Sequence, residues 1–351
     1  MSQNRPTLVE PLEGRTLFSV LLVDDDKQQF ANASYTTLAS AIKAAKAGDT
    51  IRVAAGTYRQ GVNIPAGKDN LTIISDQTRK AVIDPPDGAQ AAFYVKAKNV
   101  SIRRFTINGL KTSYGVLLNG DVSATVADCR IKSVRNNPLD GVQTGFGVAV
   151  FKGTATITNN VIDDYQKGGV YVDGGYSKAT VTGNRIIGVG LTPAIAQNGI
   201  VFNRNASGTI SNNNVSDNLF DGDTATSAGI SLYKARNMTI SGNTVSDNDA
   251  NIVVDFSNGT KVLNNQAFEA LFDGLSITRT TGALVRGNNF SDNLFDGIFA
   301  DRSTGNTFEQ NTLADNDEFD ANDTSTGTGT GGTGNTWTNN TIGTKNKPGI
   351  A

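Results

Sequence analysis

The chain has 351 residues, of which 38% are hydrophobic and 18% charged, so it can bury a core and is not disordered by composition. Lys plus Arg (31) nearly cancels Asp plus Glu (33), which argues against a nucleic-acid partner, because phosphate recognition needs a cationic face. Histidine is absent and Cys129 is the one cysteine, which excludes Ser-His-Asp and Cys-His nucleophile pairs, histidine bases, an intrachain disulfide and nearly all zinc or copper sites. Glycine (38 residues) and asparagine are in excess while proline stays at 8, a balance that suits many tight turns between short strands.

In chain order, residues 1–23 read as a leader or targeting segment, with an apolar run of only LFSVLLV at 17–23. No run approaches the ~20 apolar residues of a membrane span. Residues 35–64 follow as an N-terminal cap and first rung: an amphipathic helix with Leu38, Ile42 and Ala45 on one face, then Gly48-Asp49, a strand, and a turn at Gly56-Thr57-Tyr58.

From residue 101 the chain repeats at roughly 22 to 31 residues: SIRRFTI, TVADCRI, TITNNVI, TVTGNRI, TISNNNV, TISGNTV, KVLNNQA, LVRGNNF, TFEQNTL and TWTNNTI. Between them lie strands that usually open with Gly: GVLLN (115–119), GVAVF (147–151), GVYVD (169–173), GIVFN (199–203), GISLY (229–233), NIVVD (251–255), GLSIT (274–278) and GIFAD (297–301). Two or three short strands per unit, with no room for a helix, specify an all-β solenoid of about ten rungs over residues 24–345. The Thr/Gly-rich stretch 320–334 reads as a flexible surface loop and 346–351 as a tail.

Stacked units place equivalent side chains directly above one another. One row is Asn160, Asn184, Asn213, Asn243, Asn265, Asn288, Asn311 and Asn340, preceded by Phe105 and Cys129; inward-turned amides of this kind form a hydrogen-bonded ladder. Four residues further on stand Asp164, Asp217, Asp247, Glu269, Asp292 and Asp315, mostly followed by another Asn. They read as solvated turn residues, with calcium at Asp217 and Asp247 as the sharper alternative. The LFDG aspartates Asp221, Asp273 and Asp296 read as turn residues for the same reason.

Alternation within the Gly-led strands gives two outward columns, Leu117-Ala149-Tyr171-Val201-Ser231-Val253-Ser276-Phe299 and Asn119-Phe151-Asp173-Asn203-Tyr233-Asp255-Thr278-Asp301. Lys152, Arg204, Lys234, Arg279 and Arg302 lie just beyond. Rings stack on sugar faces and cations pair with uronates, so this face reads as a polysaccharide groove. Tyr171, Asp173, Phe151, Asn203, Lys152, Arg279 and Asp301 are its candidate binding residues. For lyase or epimerase chemistry without histidine the candidates are Lys234, Arg204, Tyr233 and Asp255, as base, carboxylate-neutralising and orienting groups. For hydrolysis, Asp255 and Asp301 stand two rungs, ~10 Å, apart, marginal for an inverting pair. A non-catalytic surface rod is the remaining alternative.

The repeats resemble those of the right-handed parallel β-helix proteins of the pectin-lyase-like superfamily, and the 35–64 stretch resembles that superfamily's N-terminal cap. The resemblance implies a right-handed single-stranded β-helix in which the sheet matching the Gly-led strands lines a cleft. An acidic polysaccharide as partner, a monomeric state and calcium as a possible cofactor are the accompanying expectations from the residues. RPTLVEPLEGRTLFS (5–19) is similar to the LEPR-XLL leader of planctomycete surface proteins, with Leu12, Glu13, Arg15, Leu17, Phe18 and Ser19 at the matching positions. It implies an extracellular or cell-surface location.

Overall fold

The computed structural model describes residues 18–351. One turn of the chain shows the plan: strands Ala228–Tyr233, Met238–Ser241 and Thr244–Ser246 run along three faces and are joined by sharp corners. Each pairs in parallel with its equivalent one turn on, Ala228 with Ala250, Thr239 with Lys261 and Thr244 with Gln266. The result is a right-handed parallel β-helix. Two faces merge into a 22-stranded sheet because Tyr114–Ala127 and Phe146–Thr158 pass unbroken through the corner between them; the third face is a 12-stranded sheet. The smaller sheet starts earlier than the visible repeats, at Gly56–Tyr58 and Ala81–Ile83, so the Gly-Thr-Tyr segment is strand and not turn.

Period-2 alternation explains the core. Val116, Val148, Val170, Ile200, Ile230, Ile252, Leu275 and Ile298 form one fully buried column of the Gly-led face, each side chain worth ~1.5–3 kcal/mol in burial. The helix Leu38–Ala44 closes the N-terminal end: Thr37 caps it by accepting from Ser40 N–H, and Leu38, Ala41 and Ile42 are buried. At the other end Trp337 stacks on Phe308 at 4.1 Å and Ile350 is fully buried, so residues 346–351 fold back as a plug. The Lys345 ammonium donates to the Ile350 carbonyl at 2.6 Å and fixes that return.

Two sequence boundaries shift. Val20–Val23 pairs with Thr50–Val53, so the second half of the apolar run is the first strand of the solenoid. The leader reading of residues 1–17 lies outside the described residues. Within 320–334, Ala321–Asp323 is a strand on the Gly-led face. The chain beyond it is tied down around the buried Asp323, which accepts from Ser325 N–H and Oγ–H on one oxygen and from Trp337 Nε1 and Asn335 Nδ2 on the other.

The asparagine row is a ladder. Each buried amide donates to the Oδ1 of the next, Asn160 to Asn184 at 3.0 Å, Asn213 to Asn243 at 2.9 Å and Asn243 to Asn265 at 2.9 Å, on to Asn340. The same Oδ1 accepts the backbone N–H of the preceding rung, as Asn243 does from Asn213 at 2.9 Å. The corner behind it is left-handed, with φ of 54° at Asn212, 63° at Gly242 and 54° at Asn264, which is why Asn and Gly recur there. Cys129 fills one rung as a small buried hydrophobe, its thiol pushed up to about 12 by desolvation.

A second ladder runs at the corner after the acidic row. Asn218, Asn248, Asn293 and Asn316, expected as turn residues, are buried: Asn218 donates to Asn248 at 2.8 Å and Asn293 to Asn316 at 2.9 Å. The rung between has Ala270, and Asn251 from the neighbouring strand reaches into the gap, accepting from Asn248 at 2.9 Å and donating to Asn293 at 3.2 Å.

Candidate functional site: the outward face of the Gly-led strands

The Gly-led strands carry glycine because the next turn approaches too closely for a side chain. A Cβ on Gly199 would lie 2.5 Å from the Gly229 carbonyl oxygen and 2.3 Å from Val215 Cγ1. That contact locks the register, and both outward columns stand as the alternation places them, for example Tyr171 beside Val201 and Asp173 beside Asn203. A third outward column precedes them: Tyr114, Phe146, Gly168, Asn198, Ala228 and Ala250 are successive partners. The pairing of Ile252 with Leu275 and Ile298 continues it through Asp273 and Asp296.

At its N-terminal end this face is covered by its own rings. Phe146 stacks on Tyr171 at 4.7 Å, and Phe151 sits 5.8 Å from Tyr171 and 6.0 Å, edge-on, from Tyr114. Leu117 and Ala149 are buried beneath them. Phe151 is thus a packing residue and not an open stacking platform. Burial raises the Tyr171 phenol above its ordinary value.

The basic row occupies left-handed corners, with φ of 58° at Lys152, 49° at Arg204, 51° at Lys234, 47° at Arg279 and 46° at Arg302. Its arginines are committed to carboxylates on the strands. Arg204 Nε donates to Asp173 at 2.7 Å, with Nη2 on the second oxygen, and Asp173 is buried. Arg279 grips Asp255 at 2.9 and 2.5 Å, and Arg302 Nε reaches Asp301 at 2.7 Å. The hydrogen bond and charge of Asp173 hold the Arg204 guanidinium above its ordinary pKa, the opposite of what a general base needs. Asp255 and Asp301 are each paired with an arginine, so neither is free as half of a hydrolytic pair. Lys234 has no carboxylate partner among the described residues; its ammonium lies 5.0 Å over Tyr233 and 5.4 Å over Phe256. The structure therefore brings the sequence candidates together as two clusters, Tyr171-Asp173-Asn203-Arg204 and Tyr233-Lys234-Asp255-Arg279. Lys152 stands apart, its N–H donating to Ser177 Oγ at 2.8 Å.

Two cavities open on the face. The larger, about 510 Å³, lies over the C-terminal rungs and is lined by Phe272, Phe295, Phe299, Asp273, Asp296 and Glu318, among others. Asp273 is pushed up to about 7 by desolvation and by the Asp296 charge; Asp296 is pushed up to about 6 by desolvation and then by Glu318. Asp296 is almost fully buried and accepts from Phe319 N–H at 3.1 Å and Asn322 Nδ2 at 2.9 Å. The LFDG aspartates at 273 and 296 are therefore not plain turn residues. Their backbones are one rung, ~4.8 Å, apart, and the Asp296 N–H reaches Asp273 Oδ1 at 3.4 Å. The smaller cavity, about 280 Å³, is lined by Phe146, Lys167, Tyr171, Asn198, Val201, Asn203, Ser231 and Tyr233. Sequence patterning missed Lys167, Asn198 and the acidic cavity, because the third outward column lies ahead of the glycines that mark the strands.

Asp217 and Asp247 sit in left-handed corners at φ of 63° and 56°. Each carboxylate accepts from the serine before it, at 2.6 and 2.8 Å. Those features are turn chemistry, away from the outward face. Among the described residues no helix is long and apolar enough to cross a membrane.

No curated protein matches the chain. Solved structures match at low identity. XylC in complex with xylose is 13% identical over 92% of this chain and 69% of that one, with a TM-score of 0.54. The periplasmic alginate epimerase AlgG is 17% identical over 76% of this chain, TM-score 0.53, and the match spans 62% of the epimerase's own length. An alginate lyase from Paenibacillus sp. str. FPU-7 is 15% identical over 85% of this chain and 97% of that one, TM-score 0.52. These likenesses are of fold. The profile of the right handed beta helix region matches residues 90–267 and 193–342, most of the chain and all of the outward face from Asn119 to Asp301, and the chain belongs to that family.

Proposed function

We propose that the protein lays an acidic polysaccharide along the outward face of the Gly-led strands and hydrolyses it at the Asp273–Asp296 cavity, in an extracellular or cell-surface setting. The observation that carries the reading is the carboxyl pair: two acids on successive rungs, both shifted upward, in a cavity walled by three phenylalanines. Desolvated, unequal carboxyls are the equipment of acid–base glycoside cleavage, one protonated to assist the leaving oxygen and the other ionised to attack or activate water. The setting is supported by the kinds of protein that share the fold, the epimerase among them being periplasmic. Lyase or epimerase chemistry has less support, since Arg204 is tied to Asp173 and shifted the wrong way for a base. A second reading, a binding rod without catalysis, is favoured by the ion pairs that commit Arg204, Arg279 and Arg302 to the scaffold.

Incubating the full chain with pectate, alginate and glycosaminoglycans and following reducing ends beside unsaturated-uronate absorbance separates these readings. New reducing ends without unsaturation are expected, lost in both Asp273→Asn and Asp296→Asn while binding persists. Unsaturated ends would reassign the chemistry to elimination. Binding with no product from any polymer would leave the rod.

A further inference from the structure

The smaller cavity contains a cation that the scaffold leaves without a counter-ion. Lys167 is half-buried at the edge of strand Gly168–Asp173, in the rung before Asn198. Its ammonium donates to the Ala196 carbonyl at 2.8 Å, and no carboxylate of the described residues lies within ion-pairing distance. Arg204, Arg279 and Arg302, by contrast, each hold an aspartate. Burial lowers the Lys167 pKa, as expected of a desolvated and unneutralised ammonium. At the other end of the cavity, five residues or ~17 Å along the strand from Asn198, Asn203 Nδ2 donates to the Tyr171 hydroxyl at 3.3 Å, while Asn203 Oδ1 is buried and has no partner among the described residues. A buried acceptor left unpaired costs free energy that a ligand hydroxyl can recover. The wall is the Tyr233 ring, 39% exposed.

We infer that this cavity is a recognition subsite for a uronate and the sugar next to it, the Lys167 ammonium pairing with the uronate carboxylate at one end, and at the other Asn203 Oδ1 accepting from a hydroxyl of the neighbouring sugar as Tyr233 packs against its ring. The inference rests on the proposal that a polysaccharide follows this face. An ammonium has three donors and spends one on Ala196, so two remain for the ligand. An ammonium in a partly dry cavity also interacts more strongly with an anion than Lys152 or Lys234 at the rim can. Lys167 stands next to Gly168 of the outward column that runs on to the acidic cavity, about four rungs or ~19 Å from Asp273. It thus selects the polymer at a distance from the bond that is cut.

The test titrates sodium polygalacturonate and sodium alginate, and the same polymers with their carboxyls reduced to alcohols, into the Asp296→Asn protein, so that no cleavage intervenes. The parent should prefer the acidic polymers by about tenfold, in keeping with one charge-assisted contact. Lys167→Gln should erase that preference while leaving affinity for the reduced polymers and the melting temperature unchanged, and Lys167→Arg should keep most of it. A Lys167→Gln protein that still prefers the acidic polymer by the parental factor overturns the subsite and leaves the proposed function standing. A parent that binds neither form overturns both.

Discussion

The inner corner built on Asn243 and the outer face built on Asp296 are made by the same repeat, yet they satisfy polar groups in opposite ways. Inside, each amide is matched rung by rung to an identical amide, so all donors and acceptors close on one another. Outside, the partners vary: Asp173, Asp255 and Asp301 take an arginine, Asp296 an asparagine and a backbone N–H, and Lys167 a carbonyl. Uniform pairing removes any unpaired group a ligand could use. Varied pairing leaves residues such as Asp273, Lys167 and Asn203 incompletely satisfied, and incomplete satisfaction is where binding and catalysis find their free energy.

The largest effect that would break this contrast lies in the ladder. Asn243→Ala leaves Asn213 N–H and Nδ2 without their acceptor and takes one donor each from Asn265 Oδ1 and the Ile210 carbonyl, and should cost roughly 2–3 kcal/mol in denaturant unfolding. Asn340→Ala, at the half-buried end, should cost at most about 1 kcal/mol. Equal losses would mean that the ladder is not cooperative along its length.

Next comes the acidic cavity, where the sign is reversed. The folded-state pKa of Asp273 is raised to about 7, so its stabilising contribution is complete below its unfolded value and is lost as pH rises from about 4 through 7. Asp273→Asn should therefore leave the melt unchanged near pH 4 and raise stability at pH 8, on the order of 1 kcal/mol once solvent screening is allowed for. A variant destabilised at pH 8 would show that the carboxylate is held by partners and not strained by burial.

The smallest effect belongs to the acidic corner row. Asp217 is left-handed, and asparagine tolerates that conformation as well as aspartate does, so Asp217→Asn should change stability by less than about 0.5 kcal/mol, whereas Asp217→Val should cost about 1 kcal/mol. A wild-type melt that differs between EDTA and added calcium, and a loss of that difference in Asp217→Asn/Asp247→Asn, would place a cation on this row instead of turn chemistry alone.

The contrast also explains what the sequence made legible. A row that satisfies itself must repeat one residue type, and Asn160 through Asn340 could be read directly as a ladder. The outward columns through Tyr171 and Asp173 were legible for a related reason, since glycine at 169, 199 and 229 marks the register. Asn218 and Asn248 follow the acidic row and share its turn-like pattern, because the same residue suits a turn and a buried ladder, and only the neighbouring rung decides between them. Asp273 and Asp296 read as turn aspartates because the LFDG motif shows one phenylalanine beside each acid, whereas the second phenylalanine and the second carboxyl come from the stacked rung. Lys167, between Gln166 and Gly168, carries no pattern; its lack of a counter-ion is a property of the surrounding surface.

The capped ends and the self-matching ladder together make length a free variable of this architecture. From Asn265 to Asn288 and on to Asn311 the chain advances 23 residues each time, and both faces of such a unit meet copies of themselves. Duplicating one unit inside the rod would leave the helix at one end and the Trp337–Ile350 plug at the other undisturbed, with every new amide finding its match. The outer columns would gain one row and the separation between Lys167 and Asp273 would change by a single rung only if the copy fell between them. On the proposed reading, gene duplication would shift the distance between the sugar that is recognised and the bond that is cut in fixed steps, without redesigning either station.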